Sequence, residues 1–167
     1  MRKLSPHPVA PAFAAPPHTV GPLGAVVGWA MDAPGGLVQC IEPVQGTVET
    51  ATWLVHTAYE ALDSFFPQQR DLVLVLDLHM LLGRTAAARS IFLNSIRVLG
   101  ERFSDVYVVP PAAYPPMYVR AFQASLAFAR LLGLRVTLVS SSAQLIERYG
   151  WKPLASGEQS AAAAAVG

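Results

Sequence analysis

Side chains of the kinds that perform chemistry are few in this chain of 167 residues, and they lie far apart. The four histidines are His7, His18, His56 and His79, and none stands at a metal-site spacing such as His-x-x-x-His. Cys40 is the only cysteine, so neither an internal disulfide nor a cysteine-based zinc site can form. Because Cys40 stands among apolar residues of a predicted strand, we expect a buried, inert thiol. The sequence predicts no metal site.

The pair Asp77 and His79 is the nearest approach to a catalytic arrangement. Residues two apart on a strand share a face, but this pair comes with no nucleophile and no substrate-binding groups. The chain also lacks a Gly-x-Ser-x-Gly elbow, a phosphate-binding P-loop and a Gly-x-Gly-x-x-Gly motif. We therefore predict no catalytic residue, no cofactor and no enzymatic activity.

A crevice beyond the carboxyl ends of parallel strands is where an open α/β sheet holds ligands. The predicted topology places loops rich in Pro and Ser at that edge, together with four candidate ligand-binding residues. Arginine, serine and helix N-termini suit a small anion. Loop polarity and capping of the last helix by Ser141 or Ser142 explain the same pattern without a ligand. The candidate crevice residues are His79, Arg84, Tyr114 and Ser141.

Strand-like and helix-like patterns alternate along the middle of the chain. Residues 25–31 and 37–42 are apolar runs around the turn-rich segment 32–36, which predicts a hairpin with a loop of about five residues. Thr47 is placed to cap the first helix, and Gly133 to end the third. The remaining predicted elements are helix 48–66, strand 71–78, helix 85–103, strand 105–110, helix 115–132, strand 135–140 and helix 141–149.

This succession, ββαβαβαβα, predicts an α/β domain at residues 24–152. Right-handed crossovers make the last three strands parallel, so we expect a mixed sheet of four to five strands with helices packed on it. Residues 1–23 are rich in proline and predict a flexible tail, with Pro8 to Pro11 as a PxxP docking alternative. Residues 153–167 are small and lack apolar periodicity, which predicts a disordered tail.

An apolar strand that ends in Asp77-Leu78 before a loop and a helix resembles the corresponding segment of STAS domains, which include SpoIIAA-like anti-sigma factor antagonists. The resemblance covers roughly residues 24–150 and rests on the order of elements and on this segment. It implies a bacterial regulatory domain that binds proteins. In that family an Asp-Ser pair begins the helix, and a partner kinase phosphorylates the serine. Here Arg84-Thr85 stands in about that place, so the acidic neighbour is missing.

The loop Gly83–Thr85 is accordingly a candidate control point. A phosphate on Thr85 would lie at a helix N-terminus, beside Arg84, where both the dipole and the guanidinium favour it. The plain alternative is that Thr85 only caps the helix. Both interpretations stay open at this stage.

Apolar residues make up 53% of the chain and charged residues only 14%, which leaves little charge to cover the surface. The predicted helix 115–132 is apolar nearly all round, whereas a helix on one side of a sheet normally has a polar back. Apolar side chains beside arginines are typical of interface cores. The candidate partner surface comprises Met117, Val119, Arg120, Gln123, Leu126 and Arg130.

The formal net charge of +1 argues against nucleic acid as a partner, because such binders need concentrated basic charge. No apolar stretch reaches the roughly 20 residues of a membrane span or the uninterrupted core of a secretory signal, which favours the cytoplasm. Ten of the 12 cationic residues are Arg, typical of a GC-rich bacterium. We predict a non-catalytic domain that binds protein partners or forms a homo-oligomer. The alternatives are a domain that binds a small molecule or lipid, and an enzyme of another kind.

Overall fold

The computed structural model describes residues 19–21 and 24–154, with the backbone alone for residues 19–20, 57–61 and 96–99. Most of the two predicted tails, including the PxxP segment, lies outside the described residues. The two ends of the described chain nevertheless reach into predicted tail segments, since residues 19–20 form a strand and residues 153–154 contact the sheet.

A mixed sheet of six strands forms the centre, in the order β1-β2-β3-β5-β7-β8. The first three strands are antiparallel, and β3, β5, β7 and β8 run parallel. The predicted α/β class, the hairpin and the three parallel strands are confirmed. The sixth strand, beyond the predicted four to five, is the two-residue β1. The strands are β1 Thr19–Val20, β2 Val26–Met31, β3 Gly35–Cys40, β5 Leu72–Asp77, β7 Phe103–Val109 and β8 Arg135–Leu138.

A second, two-stranded parallel sheet pairs β4 (Val44–Gly46) with β6 (Leu81–Arg84). The predicted order ββαβαβαβα lacks both of these strands, because each is three or four residues long and shows no alternation of its own. This small sheet leads directly into α3 and places Arg84 beside the main sheet.

The predicted helix over residues 48–66 is broken into three parts. Helix α1 (Val48–Thr52) begins at Thr47, whose side chain accepts a hydrogen bond from the Thr50 N–H at 3.2 Å, as predicted. A π-helical turn at Trp53–Thr57 follows, and then α2 (Ala58–Phe65). The remaining helices are α3 Ala86–Arg102, α4 Pro116–Leu131 and α5 Ser142–Tyr149.

Alternation along the strands separates two apolar cores. Leu72 and Leu74 of β5 and Leu78 directly after it belong to the larger core, which also contains Trp53 and side chains of α2 and α4. Val75 faces the opposite side, where Leu145 and Ile146 of α5 cover the sheet. Helices α1 to α4 therefore lie on one face, and the short α5 lies on the other.

Candidate functional site

A cavity of about 110 Å³ lies on the larger face, between the sheet and helices α3 and α4. Leu76 of β5, Val106 of β7 and Val136 of β8 form its floor, because they share the face of the strands that turns toward these helices. Phe92 of α3 and Leu126 of α4 are among the side chains that close it. The walls are almost entirely apolar. Only a few of the lining side chains carry polar atoms.

Arg84 is the charged residue in this wall. Its Nη2 donates to Ser125 Oγ at 3.0 Å and to the Ala121 carbonyl at 3.4 Å, and its guanidinium carbon lies 5.9 Å from the centre of the Phe122 ring. No carboxylate among the described residues pairs with it. Burial lowers the pKa of Arg84, opposed by the nearby Tyr114. The side chain is thus a half-buried cation with no carboxylate partner among the described residues.

Tyr114 lines the same cavity from the loop before α4. Its ring packs edge-on against Phe122, with centroids 6.1 Å apart. Its hydroxyl is buried, and no described residue forms a hydrogen bond with it. Burial raises the pKa of Tyr114, and the charge of Arg84 acts in the opposite direction. Arg84 and Tyr114 therefore both contact Phe122 and both line one apolar cavity, and the Tyr114 hydroxyl is buried beside it without a hydrogen-bond partner among the described residues.

The other two candidate crevice residues lie elsewhere. The His79 backbone N–H donates to Asp77 Oδ1 at 3.2 Å, and its carbonyl accepts from Ala112 N at 3.1 Å. Ser141 precedes α5 and makes no side-chain capping bond; it lines a shallow depression beside α5. Neither residue lines the apolar cavity. The structure thus brings together only two of the four residues that the sequence placed in one crevice.

Asp77 is a fully buried carboxylate that sequence reasoning did not single out as a site. It accepts hydrogen bonds from Gln39 Nε2 at 3.3 Å, from the Ser142 hydroxyl and from the His79 backbone. Ser142 therefore ties α5 to the sheet. The position of Asp77 at the end of an apolar run was the signal that could have pointed to such a role. Because its three hydrogen-bond donors lie on three different segments of the fold, we interpret Asp77 as a structural residue.

Cys40 is buried, as predicted. Burial, with the negative charge of Asp77 as a second cause, raises the pKa of its thiol to about 12. The thiol is protonated at neutral pH and is no nucleophile.

The Gly83–Thr85 loop is the end of β6 and the start of α3. The exposed Thr85 accepts a hydrogen bond from Ala88 N at 3.1 Å, so it caps the helix, and its own N–H donates to the Gly46 carbonyl at 2.9 Å. Gly83 is buried in the small sheet. The capping role of Thr85 is confirmed, and its phosphorylation stays a prediction.

Helix α4 leaves much of its apolar surface exposed. Met117, Ala124, Phe128 and Leu131 follow one another at intervals of seven, four and three residues, so they share one face, which we call the outer seam. Met117 is 71% exposed and Leu131 is 84% exposed. Only Phe122 and Ala129 of α4 are buried. The outer seam is therefore a continuous apolar stripe on the surface.

Some residues of the predicted partner surface on α4 are exposed, whereas others turn toward the protein. Met117, Val119, Arg120 and Gln123 are exposed. Leu126 instead turns toward the sheet and lines the cavity, because it lies on the side of the helix that carries Phe122 and Ala129. Arg130 is exposed to solvent, but its guanidinium is held against the protein. Its Nε and Nη2 donate to the Val136 carbonyl at 3.0 and 2.8 Å, so the side chain covers the edge strand β8.

Within residues 19–21 and 24–154, no three His, Cys, Asp or Glu side chains come close enough to hold a metal ion. None of the helices in this part of the chain combines the length and the apolar character needed to cross a membrane. Comparison of the chain with protein-family models, with curated proteins and with solved structures finds no match.

Proposed function

We propose that this chain is a non-catalytic protein-interaction domain whose docking surface is the outer seam of α4. In this proposal it resembles the STAS domains of anti-sigma factor antagonists and acts in the bacterial cytoplasm, in a signalling or assembly complex. The resemblance is supported by the order of a hairpin followed by parallel strands, and by the Asp77-Leu78 strand end before α3.

The observation that carries the proposal is the exposure of large apolar side chains at helical spacing on α4. Full burial of a Met, Phe or Leu side chain contributes about 1.5–3 kcal/mol to association. A patch of this kind on a soluble domain marks an interaction surface, whereas single exposed apolar residues do not. The intervals of seven, four and three residues suit a second helix packed along α4.

Charge favours a different protein over a second copy of this chain. Helix α4 contains Arg120 and Arg130 and no Asp or Glu. Two such helices packed together would offer no carboxylate to either arginine. A partner helix with acidic residues beside its apolar stripe would pair with Arg120, and this ion pair would favour one orientation of the bound helix. The occupant we propose is an acidic amphipathic helix of another protein.

A capture experiment from native cell extract tests the proposal. The full chain is used as bait beside the variant Met117→Gln/Leu131→Gln, which removes apolar area without changing charge. We expect the wild-type chain to retain a partner and the double variant to retain at least about tenfold less, because few residues dominate such interfaces. Raised salt should also weaken the capture.

The matched control is Val48→Gln, which replaces an apolar side chain of similar exposure on α1, 49% accessible and far along the chain from α4. It should capture the partner as the wild type does. Recovery of the bait alone, as a monomer in light scattering, would overturn the proposal. So would equal capture by the wild type and the double variant.

A further inference from the structure

We propose that the cavity beneath α4 is a binding site for a small apolar monocarboxylate, such as a short-chain or aromatic acid, held at its carboxylate by Arg84 and Tyr114. This inference concerns the inner side of α4 and the sheet. It is independent of the protein-docking role of the outer seam.

The first support is the unused donor capacity of Arg84. A guanidinium carries five N–H donors in a fixed fork. The protein acceptors Ser125 Oγ and the Ala121 carbonyl engage Nη2 alone, and no described residue accepts from Nε or Nη1. These remaining donors suit the two oxygens of a carboxylate. A half-buried cation without a counter-charge is also costly, and a bound anion removes that cost.

The second support is the buried hydroxyl of Tyr114. A buried polar group without a hydrogen bond is unfavourable, because it has lost its hydrogen bonds to water. Because burial raises its pKa, Tyr114 keeps its proton at neutral pH and can donate a hydrogen bond to an anionic oxygen. Arg84 and Tyr114 both contact the Phe122 ring and line the same cavity, so we place the carboxylate beside that ring.

The third support is the size and character of the cavity. An engineered cavity of about 150 Å³ in another protein holds a benzene molecule. The cavity here is smaller, at about 110 Å³, so its apolar occupant is no larger than a benzene ring. The acyl chain of a membrane lipid is too large for it. The almost wholly apolar walls disfavour sugars, nucleotides and other polar metabolites.

Calorimetric titration of the full chain with hexanoate and with benzoate at neutral pH tests the proposal. The neutral isosteres hexanamide and benzamide are the matched ligands. We expect at least one acid to bind and to raise the melting temperature, and its amide to bind at least about tenfold more weakly, because the amide lacks the charge that Arg84 recognises.

Three variants locate the site. Arg84→Gln should weaken acid binding by about tenfold or more, and Tyr114→Phe, which removes only the hydroxyl, by about three- to tenfold. Arg148→Gln is the control, since Arg148 is an exposed arginine on α5, on the opposite face of the sheet, and should leave binding unchanged. If Arg84→Gln fails to fold, Tyr114→Phe still decides the question.

Absence of binding of both acids by the wild-type chain up to about 10 mM would overturn the inference. Equal affinity for acid and amide, or unchanged affinity in Tyr114→Phe, would do the same. Palmitate bound more tightly than hexanoate would contradict the assigned ligand size. Met117→Gln/Leu131→Gln should retain acid binding, so failure of the docking proposal and failure of this one are separable.

Discussion

Asp77 illustrates at the scale of one residue how a polar group is accommodated inside this apolar fold. The carboxylate is fully buried at the end of β5, and a buried charge is tolerated only with hydrogen-bond donors around it. Gln39 of β3, the Ser142 hydroxyl and the His79 backbone supply them. The carboxylate thus joins β3, β5 and α5. Replacement of Asp77 by an apolar residue would remove the acceptor of the buried Gln39 and Ser142 side chains.

Cys40, beside this group, provides a prediction about reactivity. Its thiol pKa of about 12 leaves roughly one molecule in ten thousand as thiolate at pH 8. We expect modification by a thiol reagent to be about a thousandfold slower in the folded chain than in urea, because the thiolate is the reacting form. Lys152→Cys adds an exposed thiol as the control, and it should react at once. Equal rates for the two thiols would contradict the assignment.

The same pKa predicts how stability depends on pH. The folded state binds the Cys40 proton more tightly than the unfolded state, whose thiol has an ordinary pKa. This contribution to the free energy of unfolding is fully present below about pH 8.5 and is lost as the pH rises toward 12.

At the scale of the elements, the small sheet of β4 and β6 and the broken first helix decide how the cavity is built. The pair β4–β6 carries Arg84 to the wall of the cavity, and Gly46 allows the close approach of the two strands. The single π-helical turn at Trp53–Thr57 contains about one residue more than an α-helical turn, so it shifts the register of the residues that follow by about one position. Leu54 from this turn lines the cavity, and Trp53 is buried in the larger core.

Strand β3 passes very close to β5 at Gly35, which leaves no room for a larger residue. A Cβ atom at this position would lie 1.9 Å from the Val73 carbonyl oxygen, so an added methyl group must push the strands apart. We expect Gly35→Ala to lower the free energy of unfolding by roughly 2–4 kcal/mol in urea titrations.

Gly100→Ala is the matched control for that substitution. Gly100 lies inside α3 with open space where its Cβ would be, so alanine should leave stability unchanged or raise it by about 0.5–1 kcal/mol. Similar losses for both variants would show that the close strand contact is not the cause.

At the scale of the whole molecule, the sheet is covered unequally on its two sides. The larger core holds four helices, whereas α5 and the segment after it cover the other face. The chain after α5 returns along β2, where Lys152 N donates to Asp32 Oδ1 at 2.7 Å and Leu154 N donates to the Ala30 carbonyl at 2.9 Å. Trp151 packs against the smaller core. Trp151 therefore completes the thinner side, whereas Leu154 of the same segment packs against the larger core.

Truncation tests the importance of this returning segment. A chain that ends at Gly150 loses Trp151 and the contacts with β2, and we expect roughly 3 kcal/mol less stability from the lost apolar burial alone. A chain that ends at Leu154 keeps all of these contacts and is the control. If both truncated chains unfold at the same urea concentration, the segment does not stabilise the domain.

The types and order of the main elements could be predicted from the amino-acid sequence, because they follow from local patterns. The apolar run at residues 71–78 predicted a strand covered on both faces, and β5 is one. Residues 25–42 predicted the hairpin of β2 and β3, with a loop shortened in the structure by the pairing of Gly35 and Gly36. Local features also predicted the caps at Thr47 and Thr85 and the burial of Cys40.

Contacts between side chains of distant segments depend on tertiary packing and could not be predicted. Arg84 and Tyr114 are 30 residues apart in the chain and share a cavity only because β6 and the loop before α4 lie on one face of the sheet. Leu126 was assigned to the surface because every side of α4 is apolar, so periodicity could not identify the inner face. Contacts between distant segments, such as Ser142 with Asp77, leave no local pattern, and packing alone selects them.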